Sequence, residues 1–380
     1  MKEKKLIKSL FFYFLFYSYL LCYSSLFAQN SQTFIKADYC HFVGTINGNL
    51  PIVMDLIQDG ITYSGSYYYK KYNLPISLEG QVNNKGEIEL FAINNEGQKT
   101  EFITGKINKN TFVGNWKNKE KTKTLSVSLV EDYSKSIDFK IIFIKDSVKL
   151  FKNRKETPQA SFLDVILEVR QVPQGSNLTK IKEVLKKYQS VQNGASSQTA
   201  KQTIENNKKS FFKEYLEVNK DQDEDYLYAA NWMSQSNVDI VFNDDYFATI
   251  AFSNYQYLGG AHGMFGKTYL VIDTKNGKEI KLNDIFDKNA LATLDKRMIK
   301  KAYSYTGFEN AISLQDAGYL VDKIEATDNF SLSAKGITFV YQPYEIAPYA
   351  AGMPSFLFTW EELKDLIKAD SLVNSFLKKH

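Results

Sequence analysis

Three stretches, Gly44-Thr45-Ile46-Asn47, Gly80-Gln81-Val82-Asn83 and Gly105-Lys106-Ile107-Asn108, read Gly-x-aliphatic-Asn. Their recurrence between about Ala37 and Val130 limits what this region can fold into more than any other feature. Each opens a strand-turn unit with a polar turn after it. Between them lie short runs of strand character such as Ile52-Val53-Met54-Asp55-Leu56, Glu87-Ile88-Glu89-Leu90-Phe91 and Thr111-Phe112-Val113-Gly114-Asn115-Trp116. The connections Gln58-Asp59-Gly60, Asn83-Asn84-Lys85-Gly86 and Asn94-Asn95-Glu96-Gly97 carry hairpin-turn chemistry. With no helical period present, the region is expected to be an antiparallel β-meander of some eight short strands. Closure into a small barrel would remove its exposed edges.

The text beyond Val130 differs. Ser134 to Asn153 reads as a strand and linker, and Ser161 to Pro173 as a long strand ended by its proline. Leu178 to Tyr188 repeats apolar residues at helical spacing, and a second helix is expected over Thr199 to Val218 after an exposed loop at Gln192 to Gln198. Strands resume at Val238 to Phe242 and Tyr246 to Tyr255, flanking Asn243-Asp244-Asp245 as a solvated hairpin tip, and continue through Lys267 to Asp273 and Ile280 to Phe286. A helix over Asn289 to Tyr305, a hairpin about Ala334-Lys335-Gly336 and a closing helix over Trp360 to Ile367 complete an α+β region with mainly antiparallel pairing.

A length of 380 residues suits two domains behind a leader. The leader is read over 1–29: Lys2, Lys4, Lys5 and Lys8 precede an apolar run from Leu10 to Leu21, with a cut near Ala28 or Gln29. The run is shorter than the roughly 20 residues of a membrane span. Leu21 stands before Cys22 where lipidation wants a small residue. The expected location is therefore periplasmic or secreted, with lipoprotein anchoring at Cys22 or an uncleaved anchor as the alternatives, and with no span in the mature chain. Most of the formal +4 charge belongs to the leader, so the remainder is near neutral and offers nothing to nucleic acid. After removal of Cys22, Cys40 is the only cysteine, and the folds must hold by their cores.

Gly259-Gly260-Ala261-His262-Gly263 sets three glycines in five positions around one histidine, a sharp turn between two strands. His262 is read as orienting that turn through its ring nitrogens, with ligand contact or acid/base chemistry as the alternative. Gln342 to Pro354 carries three prolines and two tyrosines, a rigid loop that either returns to the sheet or presents a contact surface. Asp221-Gln222-Asp223-Glu224-Asp225 lacks the glycine and spacing of a calcium loop and reads as a solvated acidic linker. Cys40-His41 near the mature start is as consistent with disorder as with catalysis. Tyr67-Tyr68-Tyr69-Lys70-Lys71-Tyr72 reads as a strand end in a tyrosine-rich barrel, with sugar stacking as the alternative. No nucleophile elbow or phosphate loop occurs, and no catalytic residue, metal ligand set or cofactor is assigned.

The Tyr257 to Gly263 turn, the Gly277 to Phe286 stretch, Gly336 to Gly352, Phe356 and the Trp360-Glu361-Glu362-Leu363 end together resemble one family. It is the extracytoplasmic domain of unknown function shared by RsiV-like anti-sigma factors and PdaC-type proteins, domain of unknown function 3298, whose usual companion domain is similar to Ala160 to Leu216. The resemblance implies an extracytoplasmic α+β module, which in RsiV-like proteins receives lysozyme and in PdaC-type proteins accompanies a separate deacetylase domain. It divides the chain into a β-rich module over 30–133 and an RsiV-like region over 134–380, with the companion part at 134–220. The expected function is non-catalytic recognition of a cell-envelope protein, lysozyme-like, or of peptidoglycan glycan. His262, Tyr257, Tyr344, Glu345, Tyr349 and Met353 are the expected partner-binding residues. The alternatives are an envelope glycan-modifying enzyme pairing His262 with Asp244 or Asp245, and a structural envelope component without a specific ligand.

Overall fold

The computed structural model describes residues 34–94, 97–189, 199–221 and 230–377. The expected leader, the loop at 192–198 and most of the acidic run at 221–225 lie outside the described residues. After the short strand β1 (Phe34–Ile35), eight strands close into an antiparallel barrel: β2 (Ala37–Ile46), β3 (Leu50–Asp59), β4 (Thr62–Tyr69), β5 (Ile76–Val82), β6 (Ile88–Ile93), β7 (Lys99–Asn108), β8 (Thr111–Asn118) and β9 (Thr124–Glu131). Side chains alternate across the wall, so Phe42, Met54, Tyr67, Leu90, Ile103 and Phe112 fill the interior. The repeat glycines face inward as well. A Cβ at Gly80 would lie 2.0 Å from the Glu89 carbonyl oxygen and one at Gly44 2.2 Å from that of Ser128, so the wall curls too tightly there for any side chain.

β1 pairs with β10 (Asp138–Lys149), which opens a seven-stranded sheet continuing through β11 (Gln159–Gln171), β12 (Trp232–Asp244), β13 (Phe247–Tyr257), β14 (Met264–Asp273) and β15 (Lys278–Glu279). Among the described residues only β11 and β12 pair in parallel. A parallel pair needs a crossover, and the chain between them supplies α1 (Leu178–Gln189) and α2 (Ala200–Asn219). The two helices cover opposite faces: Ile181 and Leu185 of α1 join Phe139, Leu163 and Leu167, whereas Ile204, Phe211 and Tyr215 of α2 join Ile144, Phe162 and Ile166.

Beyond β15 come α3 (Leu282–Ile285), α4 (Lys288–Thr306) and a three-stranded sheet of β16 (Phe330–Ser333), β17 (Gly336–Val340) and β18 (Ser355–Thr359), followed by α5 (Trp360–Leu363) and α6 (Leu372–Leu377). Leu294, Met298, Phe330, Phe339 and Phe358 share one core with Phe242, Phe247 and Val271 of the large sheet. Two local expectations are corrected. Ile280 to Phe286 is not a strand, because the Asp284 carboxylate accepts from the Lys281 amide at 2.9 Å and turns the chain into α3. The closing helix stops at Leu363, and Ile367 bridges to Phe286 instead. Among the described residues no helix is long and apolar enough to cross a membrane.

Candidate functional site

The glycine-rich turn joins β13 to β14. Gly259 and Gly260 adopt φ of 91° and 94°, a region that L side chains rarely enter, and a Cβ at Gly263 would strike the Tyr255 side chain, 2.4 Å from its hydroxyl oxygen and 2.5 Å from the ring. The turn is braced from within. Tyr257 donates its hydroxyl to the Gly260 carbonyl at 2.9 Å, and His262 Nδ1 meets the Gly263 carbonyl at 3.0 Å. His262 thus orients the turn through a ring nitrogen while its side chain remains exposed.

The proline-rich loop is held over this turn by two side-chain amides that act as pieces of strand. Gln342 accepts from the Lys267 amide at 3.1 Å and donates to the Lys267 carbonyl at 2.7 Å. Asn329 donates to the carbonyls of Lys267 and Val340, each at 2.9 Å, and accepts from the Tyr269 amide. The small sheet is thereby tied to β14. Glu345 closes the loop by accepting from the Gln342 amide at 2.6 Å, and Tyr344 takes a left-handed φ of 67°.

Tyr349 then reaches the turn. Its hydroxyl donates to the Gly263 carbonyl at 2.5 Å, and its ring stacks on His262 with centroids 4.2 Å apart and planes at 28°. Phe265 meets the same ring edge-on at 5.3 Å, and Tyr344 lies 5.7 Å away at 34°. Tyr344 is 51% exposed and Met264 48%. Of the six residues expected from sequence, the fold gathers His262, Tyr344 and Tyr349 into one aromatic cluster. It uses Tyr257 and Glu345 as braces and leaves Met353 half-buried beyond Gly352.

Residues 165–265 match the family model described as Deacetylase PdaC, and residues 283–361 match that described as Protein of unknown function (DUF3298). The chain carries a PdaC-type domain followed by a DUF3298 domain. A DUF3298 family member from Bacteroides fragilis shares its fold at a TM-score of 0.55 and 20% identity, over 64% of this chain and 98% of that one. A second, from Pseudomonas aeruginosa PAO1, aligns at a TM-score of 0.42 and 15% identity over 63% and 97%. No curated protein matches. The aromatic cluster joins the two matched segments: His262 comes from the PdaC-type match, and Tyr344 and Tyr349 from the DUF3298 match.

At the other end of β13, the PdaC-type domain meets the barrel through polar groups that sequence reading overlooked. A bulge between Ile240 and Phe242 shifts the alternation of β12. Ile240 packs with Phe139, but Phe242 turns to the opposite face and stacks on Tyr68 of the barrel at 6.4 Å. Asn243 then points at the barrel joint. It donates to the Tyr39 hydroxyl and the Ile137 carbonyl, each at 2.8 Å, and accepts from the Ile137 amide at 2.9 Å. Tyr39 in turn donates to Asp55 at 2.5 Å, and His41 Nδ1 meets the same carboxylate oxygen at 2.8 Å. Asp244 accepts from Tyr68 at 3.2 Å, and Asp245 is paired with Lys135 at 3.2 Å.

Two expectations fall here. The Asn243-Asp244-Asp245 hairpin is a real turn, but Asn243 is 1% exposed and Asp245 8%, so it is a buried joint rather than a solvated tip. Cys40-His41 lies inside β2, ordered, with His41 on the outer wall against the sheet and Cys40 turned toward the barrel interior. The visible signal was the outward alternation Tyr39, His41, Val43 opposite Val53 and Asp55, which lacks the lysines of a solvated wall. Burial by itself would lower the His41 pKa, but the Asp55 carboxylate, with Asp244 and Asp132 behind it, raises it. Burial pushes Tyr39 well up, aided by the Asp55 charge. The enzyme alternative also loses its geometry. His262 follows one end of β13 and Asp244 and Asp245 precede the other, about 34 Å apart along a strand of this length. Among the described residues no group of three or more His, Cys, Asp or Glu side chains could hold a metal ion.

Proposed function

We propose that this chain is an exported envelope protein, periplasmic or secreted, that recognises a partner through the His262–Tyr349–Tyr344 cluster. The observation that carries this reading is the stacked His262–Tyr349 pair with the 51% exposed Tyr344 beside it, on backbone fixed by the Gln342 and Asn329 clamps. Rigid aromatic side chains give a large contact area with little ordering cost on binding. The leader read over 1–29 supports export. The DUF3298 resemblance supports a lysozyme-like protein, or the peptidoglycan on which such a protein acts, as the partner.

Hydrogen exchange of the mature full-length chain tests this reading. With C-type lysozyme or soluble peptidoglycan fragments present, amides at 257–266 and 342–353 should become protected while the barrel strands remain unchanged. Unaltered exchange in both segments with both partners argues against a recognition surface there.

A further inference from the structure

The barrel carries a second aromatic cluster, independent of the first. Tyr67 and Tyr69 alternate with the outward Tyr68 on β4 and so face inward, as do Glu101 on β7, two positions before the buried Ile103, and Trp116 on β8. Register places all four at one end. Tyr69 pairs with Ile52 and Glu101 with Asn118, next to the connections at 70–75 and 119–123. Gln98 and Lys119, 3.0 Å apart, join two of the rim connections.

Within this mouth the rings form a graded series. Tyr67 is fully buried, Tyr69 half-buried 5.6 Å from it, and Tyr72 on the rim is 60% exposed and edge-on to Tyr69 at 6.4 Å. The rim loop is fixed, since the amides of Tyr72 and Asn73 both donate to the Tyr69 carbonyl. Glu101 sits at the centre. Its Oε2 accepts from the Tyr67 hydroxyl and from Trp116 Nε1, the latter at 2.9 Å, while Oε1 takes no bond among the described residues and Glu101 as a whole is only half-buried. A half-buried carboxylate with one oxygen engaged and one open is an acceptor waiting for a donor.

The chemistry narrows the ligand. A purely apolar occupant would strip water from Glu101 and return no hydrogen bond. A cation would meet the rim lysines, for the connections at 70–75 and 119–123 carry Lys70, Lys119 and Lys123, with Lys71 over the Tyr72 ring at 5.2 Å and Lys121 turned to Phe102 on the outer wall, against Glu120 alone. A sugar satisfies both conditions: its flat face covers tyrosine rings, its hydroxyls donate to a carboxylate, and acidic substituents meet the lysines. We infer that this end of the barrel is a saccharide-binding site, with Glu101 receiving a ligand hydroxyl, Tyr69 and Tyr72 receiving the sugar face, and the lysine rim favouring acidic glycans.

Titration calorimetry of the mature full-length chain with an oligogalacturonate and with a neutral cello-oligosaccharide of equal length tests the site. The acidic oligomer should bind saturably and more tightly, with affinity falling as salt rises. Tyr72→Ala, an exposed change that leaves the core intact, should weaken binding roughly five- to tenfold, and Glu101→Gln about tenfold or more. Tyr344→Ala should leave this binding unchanged, which separates the site from the His262 cluster. Absence of saturable binding, or binding that both barrel variants leave untouched while circular dichroism shows them folded, overturns the inference.

Discussion

Asn243 donates to the hydroxyl of Tyr39 across 204 positions of chain, at 2.8 Å and wholly buried. The same side chain saturates both backbone groups of Ile137, so one amide ties the hairpin to the barrel strand and to the segment connecting them. Asn243→Ala leaves the Ile137 amide and carbonyl buried without partners, and a loss on the order of 2–4 kcal/mol is expected. Urea unfolding of the full chain checks this. A loss below about 0.5 kcal/mol would show that the joint does not depend on this amide.

The His41–Asp55 pair makes the joint sensitive to pH. A histidine whose folded pKa lies above its unfolded value contributes its stability in full below the unfolded value, near 6.5, and loses it as pH rises through the folded value. Melting temperature should therefore fall more steeply from pH 6 to pH 9 in the native chain than in His41→Gln. Parallel slopes would show that His41 does not set the dependence.

Asp164 of β11, buried against α2, has the opposite chemistry and the same direction. Burial raises its pKa from 3.8 to about 7, against hydrogen bonds from Asn207, Val165 and Ser236 that lower it. The fold holds the protonated acid more tightly than the unfolded chain does. The contribution of Asp164 to stability is greatest below about pH 4, declines as pH rises toward 7 and then levels. Asp164→Asn should match the native melting temperature near pH 4.5 and exceed it at pH 8 by the equivalent of roughly 1–3 kcal/mol. Equal curves at both pH values would contradict the burial argument.

Gly263 is closed to side chains by the Tyr255 ring rather than by its own backbone. Gly263→Ala should cost about 1–3 kcal/mol, and Tyr255→Val in the same chain should return much of that loss. Additive effects in this double-variant cycle would show that the two residues do not meet.

The barrel was legible because every part of its signal is local. Period-two alternation, turn residues and the Gly-x-aliphatic-Asn repeat lie within a few positions of the groups they govern. The joint was not legible for the converse reason. Whether His41 and Asp55 face water or protein depends on Asn243, far along the chain, and on a bulge at Ile240 that no residue type announces. The aromatic cluster falls between. Its chemistry shows as two separate stretches, but their meeting depends on Gln342 and Asn329 behaving as strand backbone toward Lys267, and neither residue is distinctive as text. Ile280 to Phe286 misled because its apolar residues suit a strand, whereas Asp284 caps a helical turn.

Titration calorimetry of the chain from residue 30 onward with C-type lysozyme and with soluble peptidoglycan fragments, beside Tyr344→Ala, is the most direct measurement of the proposed recognition surface. Tyr344 is exposed and its φ of 67° is no relief to a side chain, so the variant keeps the fold while removing one ring of the cluster. Saturable heat with one of the two partners, weakened roughly tenfold in the variant, is the expected result. No heat with either partner from a folded chain, or affinity equal in both proteins, contradicts a binding role for the His262–Tyr349–Tyr344 cluster.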